Sequence, residues 1–240
     1  MQIDLRAQAF KAFEALQILT KKEEDTLIAE DPTVTLVFTL WEPYESSNPF
    51  PSAIAVRHSL YTDSTLPVVA ITKDPHADWK GKFKDLPLPF PIKSYSVSKF
   101  RKRFAMTYDA RQLIKETRFF VADSCLGHVL GSSMAQDFFE KKKMPFLLDF
   151  ATEDISASLD KLMNSSYIVL PKHNSTKFAS PIGKISWSQD EIADNAADVI
   201  NAVFEKIGQD KIATIHIRIP SSTTIPIYNA DISSFILLKE

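Results

Sequence analysis

The sequence predicts an α/β protein of two domains, a split two-layer α/β domain interrupted by an inserted, doubly wound (Rossmann-like) domain. Three observations carry this expectation. Apolar runs such as Leu66 to Thr72 and Phe119 to Asp123 read as strands covered on both faces, and they alternate with helical segments, as in a parallel sheet. Thr214 to Ile219 instead alternates strictly between apolar and polar, the pattern of an antiparallel strand with one wet face. The charge is also uneven. Residues 62–150 hold 15 Lys+Arg against 10 Asp+Glu, whereas the two flanks together hold 13 against 20, within a net charge of -2.

Taken in order, Gln2 to Thr20 carries Ile3, Leu5, Ala9, Phe10, Phe13, Leu16, Ile18 and Leu19 at spacings that give a helix one broad apolar face. Lys21 to Asp31 is charged and helix-competent around Leu27 and Ile28, and Asp31-Pro32 ends it. The β-branched run Thr33 to Trp41 is a strand, and Ala53 to His58 a second one beyond the loop from Pro43 to Pro51. Tyr61 to Thr65 marks a boundary, so residues 1–64 and 151–240 form the split domain and 65–150 the insert. Within the insert, Leu66 to Thr72 and Pro91 to Val97 read as strands, with at most a short helix in Trp79 to Pro89. Ser98 to Arg103 is basic, and Asp109 to Glu116 is helical.

The stretch Thr117 to Pro145 shows the organisation most plainly: a buried strand, short helices punctuated by Gly127 and Gly131, and a helix over Ala135 to Glu140. Lys141, Lys142 and Lys143 fall in the last turn of that helix, where cations complement its dipole, and Met144-Pro145 stops it. Beyond Phe150, Ile155 to Met163 reads as a helix, and Tyr167 to Leu170 and Ile182 to Trp187 as strands. Ser188 with Glu191 three residues on forms a capping box for a long helix, whose apolar face runs from Ile192 to Ile207 before Gly208. Thr214 to Ile219 and Ile225 to Tyr228 are the last strands.

Composition narrows the chemistry. The single cysteine, Cys125, leaves no internal disulfide and no multi-cysteine zinc site. No apolar run is long enough for a membrane span, and Met1 to Thr20 lacks a signal-peptide core. Only 5 glycines argue against a glycine-built nucleotide site. The five histidines, His58, His76, His128, His173 and His216, show no paired metal spacing. Cys125 and His128, three apart with Asp123 nearby, lack the oriented base and oxyanion site of a nucleophile centre, and neither a cofactor nor a catalytic residue is expected.

A nucleic-acid partner has more support. Lys99-Phe100-Arg101-Lys102-Arg103-Phe104 interleaves cations with aromatics, and Lys141 to Lys143 adds a second cluster, so the insert can supply phosphate contacts. The first cluster also reads as a nuclear-import signal, and a solvated face is the alternative to either function.

The order of several segments resembles the ribosomal protein L1 superfamily. These are Thr33-Val34 opening a strand, HSLYTDS at 58–64 before VVAITKD, FFVADSCLGHVLG, FFEKKKMP, SPIGKISWSQDEIADNA and SSTTIPIY. The resemblance spans almost the whole chain and is closest to eukaryotic ribosome-biogenesis factors with an L1 domain. It implies an L1-like two-domain fold and a non-catalytic protein that binds structured ribosomal RNA through its split domain. By the same resemblance, Gly183, Lys184 and Ser186 and the segment Thr223, Thr224, Ile225, Pro226 contact RNA, with Arg57 and His58 counted among the contacts. Lys99, Arg101, Lys102, Arg103 and Lys141 to Lys143 form a secondary basic surface.

Three departures stand out. Ile225 replaces a glycine that lets backbone approach RNA, Ala29-Glu30 stands where a Lys-Phe pair is usual, and Arg57 where a proline is usual. These changes, together with the missing lysine-rich tail before Glu240, favour a nucleolar pre-rRNA factor of the small-subunit processome, monomeric outside the pre-ribosome and working with other assembly factors. A stalk protein or large-subunit factor is the alternative within the RNA class. A protein-protein adaptor docking through its acidic split domain is the alternative outside it.

Overall fold

The computed structural model describes residues 4–22, 31–44, 50–61, 66–84, 86–151, 154–171, 175–220 and 223–230. Its elements are, in chain order, α1 (Leu5–Lys22), β1 (Thr33–Leu40), β2 (Ser52–Ala55), β3 (Val68–Thr72), α2 (His76–Lys84), β4 (Ile92–Ser96), α3 (Val97–Arg103), α4 (Thr107–Lys115) and β5 (Phe120–Asp123). There follow α5 (Gly127–Ser133), α6 (Gln136–Glu140), β6 (Phe146–Leu148), α7 (Ile155–Met163), β7 (Ser165–Ile168), β8 (Lys177–Lys184), α8 (Gln189–Ile207), β9 (Ile212–Arg218) and β10 (Ile225–Asn229). Single 3-10 turns precede α5 and β9. Parallel and antiparallel sheets coexist, as the predicted α/β class requires.

One unit comprises residues 1–48, 53–60 and 164–240. Its antiparallel sheet runs β10-β9-β1-β8, with α1 and α8 on one face. The alternation of β1 explains the layering: Val34, Leu36, Phe38 and Leu40 are buried, while Thr33, Thr35, Val37 and Thr39 point to the other face. Against the buried row lie Phe13 and Leu16 of α1 and Ile192, Val199, Ile200 and Val203 of α8, each side chain contributing about 1.5–3 kcal/mol when fully buried. A two-stranded pairing of β2 with β7 completes the unit. The strand expected over Ala53 to His58 is thus present but shorter, ending at Ala55.

β8 begins five residues earlier than the sequence predicts, and Ile185 to Trp187 turn rather than extend. Pro181 hid the strand. β8 is an edge strand in the four-stranded sheet, where a missing N–H is tolerated, and its register slips by a bulge between Val34 and Thr35, opposite this segment.

The other unit comprises residues 49–52 and 61–163. Its sheet is wholly parallel in the order β4-β3-β5-β6, and β3 is buried along its entire length, which accounts for its unbroken apolar sequence. Three residues sufficed for β6, too few to show a period. The helix Ile155–Met163 falls in this unit, whereas the sequence expectation groups it with the split domain. Phe100, Phe104, Phe120 and Phe138 form the centre of its core, with ring centroids 5.1 Å apart for Phe100 and Phe104 and 5.3 Å for Phe120 and Phe138. The expected features at Leu27-Ile28, Ala29-Glu30, 62–65, His173 and Ser221-Ser222 lie outside the described residues.

Candidate nucleic-acid interface

Strand register brings the expected split-domain positions towards one end of the antiparallel sheet. Lys184 pairs with Thr33, Thr35 with both Pro181 and Arg218, and Ile225 with Ile217, so the end of β8, the end of β9 and the start of β10 are neighbours across β1 and β9. Thr223 and Thr224 are exposed just before β10, and Pro226 is exposed within it. Arg218 went unnoticed in the sequence. It is the exposed last position of a strictly alternating strand, on the face away from the helices, and that alternation was the available signal.

The same face carries Lys177, opposite Thr39, and His216, opposite Val37. Burial, and then the nearby Lys177 charge, lower the pKa of His216. By register and alternation, the strand positions of this face hold Lys177, Lys184 and Arg218 and no carboxylate.

The turn after β8 is tied down by backbone and side chain together. Ile185 N–H donates to Pro32 O at 3.1 Å, and Trp187 N–H to Lys184 O at 3.2 Å. The Ser186 hydroxyl donates to Asp31 Oδ2 at 2.6 Å and its N–H to Asp31 Oδ1 at 3.2 Å. Ser186 therefore fixes the turn that carries Lys184 at its start. Gln17 adds a bond from its amide to Ile185 O at 3.3 Å.

Gly183 is not an open approach for a ligand. It is buried, and a Cβ there would collide with Ile192 Cδ1 and stand 2.7 Å from Trp187 Cε3. The RNA contact expected at Gly183 is therefore not made through its missing side chain: that space is filled by the chain's own core.

Arg57 and His58 are drawn to α8. The Arg57 guanidinium contacts Asp194 at 3.2 Å and Asp198 at 2.9 Å, while its N–H donates to Asp198 Oδ2 at 3.2 Å. His58 N–H donates to Asn195 Oδ1 at 3.0 Å, and the fully buried Asn195 amide returns bonds to His58 O at 2.8 Å and Ile182 O at 2.9 Å. Arg6 reaches Asp194 at 2.6 Å and Asp190 at 2.8 Å. The Arg6 hydrogen bond, followed by those of His58 and the nearby cations, holds Asp194 below the usual carboxylate pKa. Arg57 is thus a partner of the protein's own carboxylates, and Asp190, Asp194 and Asp198 each meet at least one of the two arginines.

In the second unit the basic residues separate by role. Phe100 and Phe104 are core residues, so the aromatics interleaved in the basic hexapeptide are not a stacking platform. Lys99, Arg101, Lys102 and Arg103 are exposed on α3. The lysine run does not lie within the last turn of α6 as expected, because the helix ends at Glu140 and Lys142 takes a left-handed φ of 53°. Lys141 and Lys142 are exposed. Lys143 turns inward, donating to Arg118 O at 2.7 Å and Thr117 O at 3.3 Å, and burial lowers its pKa. It is removed from the basic surface.

Cys125 shows no activation. The residue is exposed, its N–H bonds Asp123 Oδ1 at 3.2 Å, Lys73 Nζ stands 3.4 Å from Asp123 Oδ2, and partial desolvation with the Asp123 contact outweighs Lys73 to raise the thiol pKa. Among the described residues, no group of His, Cys, Asp and Glu could hold a metal ion, and no helix is long and apolar enough to cross a membrane.

Residues 15–223 match the model of the ribosomal protein L1p/L10e family. The chain belongs to this family. A large ribosomal subunit protein uL1 of Pyrococcus abyssi is 29% identical over 111 residues, covering 45% of this chain and 50% of its own. The Ribosomal L1 domain-containing protein 1 of Mus musculus is 21% identical over 98% of this chain and 53% of its own length. A Schizosaccharomyces pombe protein named for ribosome biogenesis is 23% identical over 75% of this chain and 49% of its own. The chain spans about half the length of the curated relatives it matches.

Proposed function

We propose that this protein is a non-catalytic ribosome-assembly factor that binds pre-rRNA in the nucleolus, within the small-subunit processome, alongside other assembly factors. The observation that carries the reading is the convergence of Lys184, Arg218, Thr223, Thr224 and Pro226 at one end of a sheet whose described strand positions, on the face away from the helices, bear cations and no carboxylate. Phosphate oxygens are bound by such cations and hydroxyls, which set position rather than sequence. Membership of the L1 family and the relatives named for ribosome biogenesis support the ribosomal setting. The pairing of Asp190, Asp194 and Asp198 with Arg6 and Arg57 weakens the case for an acidic docking face.

Crosslinking in living cells, with sequencing of bound RNA and mapping of crosslinked peptides, tests this. The expected result is pre-rRNA of the small-subunit pathway, attached to peptides containing Lys184, Arg218 or Thr223-Thr224. Recovery of mature ribosomal RNA only would return the protein to the stalk reading, and recovery of no ribosomal RNA would overturn the proposal.

A further inference from the structure

The helix α3 presents a second cationic surface. Phe100 and Phe104, four residues apart, anchor α3 in the core, so the residues between and before them face outward. Lys99, Lys102 and Arg103 consequently share one cationic face, with Arg101 on the other flank of the two rings, and among the described residues none of the four makes an ion pair. This contrasts with Arg57, whose charge is met by two carboxylates. Arg103 is held in place by rings, its guanidinium carbon lying 5.5 Å from the Phe104 centroid and 5.9 Å from that of Tyr95. A guanidinium stacked on rings keeps its N–H edge available for an anion.

Beside α3 opens a concavity of about 480 Å³ lined by Ser96, Ser98, Lys99, Lys102 and Arg103. Its two hydroxyls are engaged internally, Ser98 to Asp74 at 2.6 Å and Ser96 to Lys99 N–H at 3.4 Å, so the cations supply its binding capacity. Among the described residues, Asp74 is hydrogen-bonded at this concavity's edge, and Asp109 and Glu116 line the hollow on the far side of Arg103.

Immediately after this helix come two large side chains that the fold leaves in water, Met106 at 71% and Tyr108 at 76% exposure. Tyr108 lies five positions after Arg103, at most about 18 Å of extended chain. Cations for phosphate within that chain distance of an exposed ring are the components of a single-strand site, because a duplex hides its base faces and an unpaired base offers one for stacking.

We propose that α3 and the first turn of α4 bind single-stranded RNA, with Lys99, Lys102 and Arg103 on successive phosphates and Tyr108 stacked on an unpaired base. This rests on the RNA-binding reading above and adds to it a flexible, unpaired segment as the second contact. Met106 supplies apolar cover beside the stacked base.

Fluorescence anisotropy with the full chain tests it, using a 12-nucleotide oligouridylate, a 12-base-pair RNA duplex, a structured pre-rRNA fragment and an oligoglutamate peptide. The oligouridylate should bind more tightly than the duplex. Tyr108→Ala should lower its affinity about tenfold, within the range for loss of one stacked base, and Tyr108→Phe should stay within twofold. Lys99→Ala with Lys102→Ala should flatten the slope of log affinity against log salt by about 1.4, two single-strand phosphate contacts. Both changes are at exposed positions, and unchanged thermal melts confirm folding.

Equal affinity for oligouridylate and duplex, insensitivity to Tyr108→Ala, or preference for oligoglutamate would overturn the proposal. Binding of the structured fragment without any of the oligouridylate would overturn it while leaving the proposed function standing. Loss of fragment binding alone, with the oligouridylate retained, would do the reverse.

Discussion

At the residue scale, the difference between a conserved-looking motif and a contact is set by what surrounds each atom. In the GKxS segment, Gly183 is enclosed by Ile192 and Trp187, Ser186 is committed to Asp31, and Lys184 begins the turn they fix. Gly183→Val therefore destabilises the fold by about 1–3 kcal/mol through overpacking, and chemical denaturation should show it in the absence of RNA. A Gly183→Val protein with unaltered stability and weakened RNA binding would restore the ligand-facing role. Asp194 gives a pH prediction. Its folded pKa lies below the ordinary carboxylate value, chiefly because Arg6 donates to it, so its stabilisation is fully present above about pH 4 and lost as pH falls through the lower folded value. Asp194→Asn should lower the melting temperature by a few degrees at pH 7, and the deficit should shrink below pH 4. A deficit that held constant down to pH 2 would locate the benefit in packing.

At the element scale, α8 was legible because every local signal agreed: Ser188 and Glu191 at capping-box spacing, an unbroken apolar stripe, and Gly208, which takes φ 103°. The capping box is formed, with Ser188 N–H on Glu191 Oε2 at 2.9 Å and Glu191 N–H on Ser188 Oγ at 3.3 Å. Ser188→Ala should cost about 1 kcal/mol, read by urea unfolding, and Ser188→Asp should recover most of it. Where signals conflicted, the sequence misled. Pro181 masked the first half of β8, and β6 was too short for a period. Aromatics next to cations in α3 looked like a binding pattern, yet only tertiary structure shows that Phe100 and Phe104 face the core while Tyr108 does not. The lysine run after α6 failed for a similar reason: composition cannot show that Lys143 turns in towards two backbone carbonyls.

At the scale of the whole molecule, a net charge of -2 conceals cations of two kinds, those neutralised by the protein and those left for a partner. Arg6 and Arg57 spend their charge on Asp190, Asp194 and Asp198, and Arg111 lies against the buried Asp137 at 2.5 Å. Lys184 and Arg218 have no such acid within ion-pair distance among the described residues. Counterion release then sorts the candidates, because only a cation that displaces salt ions from RNA alters the salt dependence of binding. Lys184→Ala and Arg218→Ala should each weaken binding to a structured pre-rRNA fragment and flatten the log-log salt slope by about 0.7 to 0.9. Arg57→Ala should leave that slope unchanged and lower thermal stability instead, since the charge it removes is already balanced by two carboxylates. Lys141→Ala should leave both the slope and the stability near their starting values for this fragment. Titrations at four salt concentrations separate the three outcomes. A flattened slope for Arg57→Ala beside an unchanged one for Lys184→Ala would mean that RNA displaces the α8 carboxylates from Arg57, and the binding face would then lie on the helical side of the sheet.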